Sequence, residues 1–289
     1  SMRVERSIVM LATVALVDFI NYLRVRKGRA ETTCDTYKYV IAQFIDYMGQ
    51  NTECQDIKIA HIDSYAIYIS KIGLRPKTQR NRIVPIKTFI AYLNRVGLSE
   101  INKDWVETPK DRMAVIEYMT EEEVDRLLIA ASGNTRDFAM LSLLLTSGLR
   151  VSELCNLLSS DILGTAISVK NGKGGKHRVT FYNSATEDAL KNFMLVRDPG
   201  AVALFPNPWG GALSRMAVLN IVKRYVKNAG IQKHITTHCL RHTFATLYLT
   251  RGGKIEDLQQ IMGHSNIKTT LLYIHFTNSH LHSAYDKVY

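Results

Sequence analysis

Apolar positions recur with helical spacing over the first third of the chain and break at polar or glycine-containing stretches. The pattern predicts helices over residues 5–26, 33–48 and 59–71, and a fourth that begins at Pro76, since proline is favoured at the first helical position. Gly49 is expected to end the second helix, because glycine suits the backbone conformation of a helix end. The first part of the chain is therefore predicted to be all-helical.

The fourth predicted helix has an apolar side and a basic side. Its buried stripe is expected to consist of Ile83, Ile86, Ile90 and Leu93. The other side carries Lys77, Arg80, Arg82 and Lys87. A basic face of this kind suits an anionic partner, and a merely solvated helix face is the alternative.

The second part mixes helices and strands. After residues 102–115, which are polar and without a clear period, Thr120 and Glu123 form a capping box that predicts a helix start. Two β-rich runs, Ile167–Val169 and Val179–Tyr182, flank a turn rich in glycine and lysine. They predict a β-hairpin.

Helical spacing returns on both sides of this hairpin. A buried helix is expected to end at Gly148, and the pattern from Ser214 onward is helical again. We therefore expect a mostly α fold with one small antiparallel sheet. The predicted domains are residues 1–106 and 118–289, joined by a linker at 107–117.

Composition narrows the class of partner. The chain has 289 residues, a hydrophobic content of 46% that excludes a disordered protein, and a formal net charge of +11. That charge indicates a polyanionic partner, either a nucleic acid or an anionic membrane surface. No segment is long and apolar enough to span a bilayer. The scattered cysteines, without a CxxC pair, are expected to be reduced thiols in the cytoplasm.

Four stretches of the second part carry unusual polar residues: TSGLRVSEL, GKGGKHR, HCLRH and MGHSNIKTTLLYIH. Arginine and lysine suit phosphate, histidine can transfer protons near neutral pH, and tyrosine can act as a covalent nucleophile. The candidates are Arg150, Glu153, Lys173, His238, Arg241, His264 and Tyr273. The sequence shows no carboxylate cluster for Mg²⁺ and no Walker-type loop, so we expect no metal or other cofactor and side-chain cations in the metal's place.

Each motif has a simpler interpretation when taken alone. Arg150 with Glu153 could be a surface ion pair, and GKGGK could be a solvated turn. His238 and His242, four positions apart, could bind zinc, although no third ligand is evident. Tyr273 could be a core residue. The order and spacing of the motifs together, rather than any one of them, favour chemistry on a phosphodiester.

In this combination the motifs resemble the catalytic domain of the tyrosine recombinases, or integrase family, over residues 118–276. The first part resembles, more loosely, that family's helical SAM-like core-binding domain. The lack of large insertions is most similar to the Xer recombinases, and the archaeal branch is the one we favour. The resemblance implies two domains that clamp opposite sides of a DNA duplex, with Lys77, Arg80 and Lys87 as candidate DNA contacts.

The resemblance also implies how the phosphate is held. Arg150, in GLR, and Arg241, in HCLRH, are similar to the two arginines that bind the nonbridging oxygens of the scissile phosphate. His264 matches a position that donates a further hydrogen bond to it. Glu153 resembles a carboxylate that supports the geometry of the site.

The remaining roles implied by the resemblance concern proton transfer and attack. Tyr273 matches the nucleophile that forms a 3′-phosphotyrosine. Lys173 resembles the general acid for the departing 5′ oxygen, and the nearby Lys176 is the alternative for this role. His238 resembles a general acid/base, and His242 is assigned a structural role.

The implied activity is site-specific DNA recombination, in the Xer case the resolution of chromosome dimers. The alternatives are a viral or mobile-element integrase, a type IB topoisomerase-like nicking-closing enzyme, and a DNA-binding protein that has lost catalysis. The implied partners are double-stranded DNA with a specific site and further copies of the chain in a tetrameric synaptic complex. The C-terminal tail has one apolar helical face, formed by Leu281, Ala284, Tyr285 and Val288. We expect this tail to dock on a neighbouring subunit. Folding back on its own domain is the alternative.

Overall fold

The structure is a computed structural model, and it describes residues 10–109, 116–170, 177–264 and 267–273. The chain divides into two compact units between residues 114 and 115. Within the described ranges, no helix combines the length and the apolar character that a membrane crossing needs. The finer domain limits, with a linker at 107–117, stay a prediction.

The described residues of the first unit contain four α-helices: α1 (Ala12–Val25), α2 (Glu31–Met48), α3 (Ile59–Lys71) and α4 (Pro76–Arg95). The third and fourth begin at the predicted residues. The first begins later than predicted, because Leu11 is extended and pairs with Glu53 in an isolated β-bridge. Residues 5–9 of that predicted helix lie outside the described part of the chain.

The core of the first unit forms where these helices pack together. The predicted stripe of α4 is fully buried, with Ile83, Ile86, Ile90 and Leu93 all at 0% exposure. Phe19 of α1, Phe44 of α2 and Tyr65 of α3 meet it from the other helices. The basic side of α4 therefore faces away from this core, as the sequence indicates.

The second unit is mostly helical in its described residues: α5 (Glu121–Ala131), α6 (Thr135–Ser147), α7 (Val151–Cys155), α8 (Ser184–Val196), α9 (Arg215–Asn228), α10 (Thr237–Thr250), α11 (Ile255–Met262) and α12 (Lys268–Leu271). The predicted capping box is present, since the Thr120 amide donates to Glu123 Oε2 and the Glu123 amide to Thr120 Oγ1. α6 ends where expected, with Gly148 in the left-handed conformation at φ 62°.

The predicted hairpin is part of an antiparallel sheet in the order β1 (Ile162–Leu163), β2 (Ala166–Val169) and β3 (Arg178–Phe181). Val169 pairs with Arg178 at the end of β2 and the start of β3. The sequence analysis missed β1, which has only two residues and therefore no readable alternation. The mostly α fold with one small antiparallel sheet is confirmed.

Four elements of the second unit position the candidate site. α10 packs against α6 and α11, and α11 packs against β3. An apolar cluster beside them includes Phe244, Leu249, Leu258, Met262 and Tyr273. As a result, the C-terminal ends of α6 and α11 lie beside the polar face of α10.

Candidate active site

Arg150 stands at the start of α7, two residues after the glycine that ends α6. Its backbone amide donates to Glu153 Oε2 at 2.7 Å, and its Nη1 donates to Oε1 at 2.9 Å. Its Nη2 donates to the Gly263 carbonyl at 3.3 Å. The ion pair with Glu153 is therefore real, and it holds a partly exposed guanidinium at the C-terminal end of α11.

Glu153 also binds a second arginine that the sequence analysis did not single out. Arg178 of β3 donates to both carboxylate oxygens of Glu153 at 2.7 Å, and its Nε donates to the Ile261 carbonyl at 2.9 Å. Burial alone would raise the pKa of Glu153. The hydrogen bonds from Arg178 and Arg150 outweigh it and lower that pKa to about 2. The carboxylate therefore stays ionised and ties the hairpin to α7 and α11.

Among the described cations of the site, Arg241 is the most deeply buried, with 5% exposure. Its guanidinium donates to the carbonyls of Gly148 and Met262, at the C-terminal ends of α6 and α11. Helix C-termini present unpaired carbonyls with partial negative charge, so they can hold a buried cation that has no carboxylate of its own. Burial, with a smaller effect of the Arg150 charge, lowers the pKa of Arg241 to about 9, which leaves it protonated at neutral pH.

His264 follows the glycine that ends α11 and connects Arg241 to the segment that carries Tyr273. Its Nε2 lies 3.1 Å from Arg241 Nη2, and its Nδ1 lies 2.9 Å from the Thr270 hydroxyl. Arginine can only donate, so Nε2 must accept and Nδ1 carries the proton. Burial and the charges of Arg241 and Arg150 lower the pKa of His264 to about 4, so the ring is neutral at neutral pH.

Tyr273 lies two residues beyond α12 and is 3% exposed. Its Oη is 2.6 Å from His242 Nδ1, and the two ring centroids are 5.6 Å apart. Burial raises the pKa of Tyr273, although the charge of Arg241 opposes this. The candidate nucleophile is therefore a protonated phenol that α10 holds directly.

Of the two remaining candidates, His238 lies in the described part of the chain and Lys173 does not. His238 lies in the first turn of α10, exposed, with its ring stacked near that of His242 at 6.3 Å between centroids. Lys173 and its neighbour Lys176 lie outside the described residues, and only the strands on either side of them are described. No group of three or more His, Cys, Asp or Glu suited to a metal ion occurs in the described parts of the chain, so the zinc alternative gains no third ligand there.

The three candidate DNA contacts of α4 do not share one environment. Lys77 is exposed. Arg80 Nη1 donates to the Pro109 carbonyl at 3.2 Å, and Lys87 Nζ donates to the Val106 carbonyl at 3.1 Å. Two of the three cations thus bind the backbone that follows the first unit's helices, a role that the helical pattern of α4 does not indicate.

The structure adds three polar residues to the site: Arg178, Thr270 and His242. Arg178 and Thr270 lie inside the stretches GKGGKHRVTFY and IKTTLLYIH. Their position within these motifs could therefore have marked them as candidates. His242 shares the polar face of α10 with His238 and Arg241, but nothing local indicates that it meets a tyrosine 31 positions later.

Comparison with known proteins agrees with this architecture. Residues 117–280 match the phage integrase family, and residues 16–97 match the phage integrase N-terminal SAM-like domain. The chain belongs to the phage integrase family, the family of the tyrosine recombinases.

Individual relatives make the assignment more specific. A tyrosine recombinase of Pseudothermotoga lettingae is 31% identical over 94% of this chain and 97% of its own. The tyrosine recombinase XerD of Oceanobacillus iheyensis is 30% identical over 94% of this chain and 96% of its own. A crystal structure of XerA recombinase has 31% identity and a TM-score of 0.55, and covers 95% of this chain and 98% of its own. The protein is a site-specific tyrosine recombinase of Xer type, and these relatives do not favour the integrase or nicking-closing alternatives.

A lambda integrase dimer bound to a core site shares the fold alone. It has a TM-score of 0.76 and 18% identity, and covers 92% of this chain and 77% of its own.

Proposed function

We propose that this recombinase cuts and rejoins double-stranded DNA at a specific site through a 3′-phosphotyrosine at Tyr273, and that its biological task is the resolution of chromosome dimers in the cytoplasm. The observation that supports the chemistry best is the convergence on α10. Arg241 and His242, which contacts Tyr273, are neighbours on this helix. Arg150 and Arg241 bind carbonyls at the same end of α11.

The two guanidinium groups suit a scissile phosphate. Arg150 is 25% exposed on its side chain, while Arg241 is buried and already oriented by backbone carbonyls. Two fixed cations can bind the nonbridging oxygens and stabilise the negative charge that grows in the transition state. Glu153 accepts directly from Arg150 and keeps that guanidinium from turning away, and Arg178 holds the carboxylate in place.

Attack and departure then need two proton transfers. The Tyr273 oxygen attacks the phosphorus, and the phenol proton leaves. The bond to the 5′ oxygen breaks, and in our proposal Lys173 supplies its proton, with His238 as a further acid/base. In the free enzyme His264 Nε2 accepts from Arg241 and carries no proton. When the phosphate binds Arg241, we propose that the ring takes its other tautomer: Nε2 gains a proton from water and donates it to the phosphate, while Nδ1 releases its proton to water and accepts from the Thr270 hydroxyl.

The phosphotyrosine preserves the free energy of the phosphodiester, so rejoining needs no ATP. We also propose that the cations replace a metal, and cleavage in EDTA tests this. Strict dependence of the cleavage step on Mg²⁺ would contradict it.

Tyr273→Phe tests the nucleophile. DNA trapped covalently on the native protein supplies the target sequence, and suicide substrates with a nick beside the cut site are then run on denaturing gels. We expect the variant to bind this DNA with unchanged affinity and to form no covalent band. Tyr248→Phe is the matched control, since Tyr248 packs on the same apolar cluster, and it should form the adduct. A persisting band in Tyr273→Phe would refute the assignment.

The DNA contacts of the first unit form a separate part of the proposal. Lys77 is exposed and can meet a phosphate directly, whereas Arg80 and Lys87 each use one donor on the backbone between residues 106 and 109. Both side chains keep further N–H donors for a phosphate. We therefore propose that Lys77 acts only on DNA and that the other two also fix the segment that leaves this unit.

We further propose that four copies assemble on paired DNA sites and exchange their C-terminal tails. Residues 274–289 lie outside the described part of the chain, so this rests on the apolar spacing of the tail and on the family resemblance.

A further inference from the structure

The structural role assigned to His242 from the sequence does not explain its hydrogen bond with Tyr273. It follows Arg241 directly on α10, and its Nδ1 is 2.6 Å from Tyr273 Oη. The ring centroids are 5.6 Å apart with an interplanar angle of 51°, so the contact is made edge-on through the ring nitrogen and not by stacking. A residue that only fills space would not need a nitrogen at this point.

The direction of this hydrogen bond follows from the protonation states. Burial, with the neighbouring His238 and Arg241, lowers the pKa of His242 to about 4, and burial raises the pKa of Tyr273. At neutral pH the imidazole is therefore neutral and the phenol is protonated. The phenol O–H donates, Nδ1 accepts, and the imidazole proton is on Nε2.

We propose that His242 is the base for the nucleophile: it accepts the Tyr273 proton as the phenol oxygen attacks the phosphate, and it returns that proton when the strand is rejoined. This proposal rests on the proposed function, because it assumes that Tyr273 is the nucleophile. In cleavage the O–H bond breaks, the proton moves to Nδ1, the Oη–P bond forms and the P–O5′ bond breaks, while the general acid of the proposed function protonates O5′. In rejoining the 5′ hydroxyl returns that proton to the same group as it attacks the phosphorus, the Oη–P bond breaks and the imidazolium protonates the departing phenolate.

Among the described residues, the other two histidines of the site make different contacts. Both ring nitrogens of His264 are engaged, with Arg241 and with Thr270. His238 has its ring centroid 6.3 Å from that of His242, on the exposed side of the helix. Within the described residues, His242 is the histidine in hydrogen-bond contact with Tyr273 Oη.

Bound DNA strengthens this base. Burial is the largest cause of the low pKa of His242, and the charges of His238 and Arg241 add to it; a phosphate held by Arg241 cancels part of the last of these effects. His242 should therefore accept a proton more readily when the scissile phosphate is in place. The free enzyme instead keeps the nucleophile protonated.

The test separates loss of the base from damage to the phosphate site. His242→Ala removes both the contact and the base. In His242→Asn the amide oxygen can still accept the phenol hydrogen bond but cannot take the proton. His234→Ala, at an exposed histidine before the same helix, is the control. Cleavage rates are measured as covalent adduct on a suicide substrate at saturating enzyme.

A second assay bypasses the tyrosine. A half-site that carries a p-nitrophenyl ester on its 3′ phosphate is ligated to a 5′-hydroxyl strand, and release of p-nitrophenolate needs no proton. It is run in the Tyr273→Phe background, with and without the substitutions at His242. This reaction still requires the arginines that hold the phosphate.

We expect both His242 variants to cleave about 100-fold more slowly or worse, which is the low end of general-base contributions, and to ligate the p-nitrophenyl ester at the parent rate. Cleavage by His242→Asn at the wild-type rate would overturn the proposal, because a hydrogen bond without proton transfer would then suffice. An equal loss of p-nitrophenyl ester ligation would overturn it as well, since His242 would be acting on the phosphate site. If instead the wild type forms no adduct, or Tyr273→Phe forms one, the proposed function itself fails.

Discussion

Replacing Glu153 with glutamine should destabilise the second unit by about 3 kcal/mol. The side chain of Glu153 is 6% exposed and accepts hydrogen bonds from the backbone and side chain of Arg150 and from two nitrogens of Arg178. Its pKa falls from the ordinary 4.5 to about 2, and one pKa unit corresponds to about 1.4 kcal/mol. Glutamine removes the charge and turns an N–H₂ group toward arginine donors, which gives the same order of loss as breaking a buried ion pair.

Hydrogen exchange measured by mass spectrometry can follow this loss in the full-length chain, because peptides from α6 and α10 report the opening of the second unit alone. The matched control is Glu187→Gln, which removes the solvent-facing pair with Lys191 on α8 and should cost less than about 0.5 kcal/mol. If Glu153→Gln changes the opening free energy no more than this control does, the network around Glu153 contributes no stability and the reasoning is wrong.

The pH dependence gives an independent check with a definite sign. Because the folded-state pKa of Glu153 is depressed, its contribution is complete above pH 4.5 and is lost as the pH falls toward 2. The difference between wild type and Glu153→Gln should therefore be constant from pH 7 to pH 6 and about 0.8 kcal/mol smaller at pH 4. A difference that grows on acidification would contradict the assignment.

Three further outcomes are expected. Gly148→Ala should destabilise the second unit by about 2–5 kcal/mol in thermal unfolding, because φ is 62° and a Cβ would overlap the Phe244 ring. Gly133→Ala is the control and should be near neutral, because the space around Gly133 is open. Lys77→Ala should weaken binding to all DNA sequences and lower the salt slope by about 1, and an unchanged slope in filter binding would remove Lys77 from the interface. A chain truncated after Thr277 should bind a single half-site but lose cooperative filling of the full site and recombination in gel-shift and strand-exchange assays; wild-type cooperativity would show that the tail is not the connector.

Much of the local structure could be predicted from the sequence, because its causes are local. The start of α4 at Pro76, the capping box at Thr120 and the end of α6 at Gly148 each depend on residues within one helical turn. The buried stripe of α4 follows from the helical period alone. The predicted start of α1 was wrong because its cause is not local: Leu11 pairs with Glu53, a residue more than 40 positions away.

The sequence by itself also determined which chemistry is available to the second unit. The types and order of its arginines, histidines and tyrosine are properties of the chain and do not depend on how the helices pack. Only the tertiary structure decided what each of these groups touches. Arg241 binds the ends of two helices, Arg178 shares the carboxylate of Glu153, and His242 meets Tyr273. Periodicity sets the face of a helix on which a side chain lies, but the partner that it finds there depends on how distant elements pack. A buried donor or charge must be satisfied by whatever that packing brings within reach.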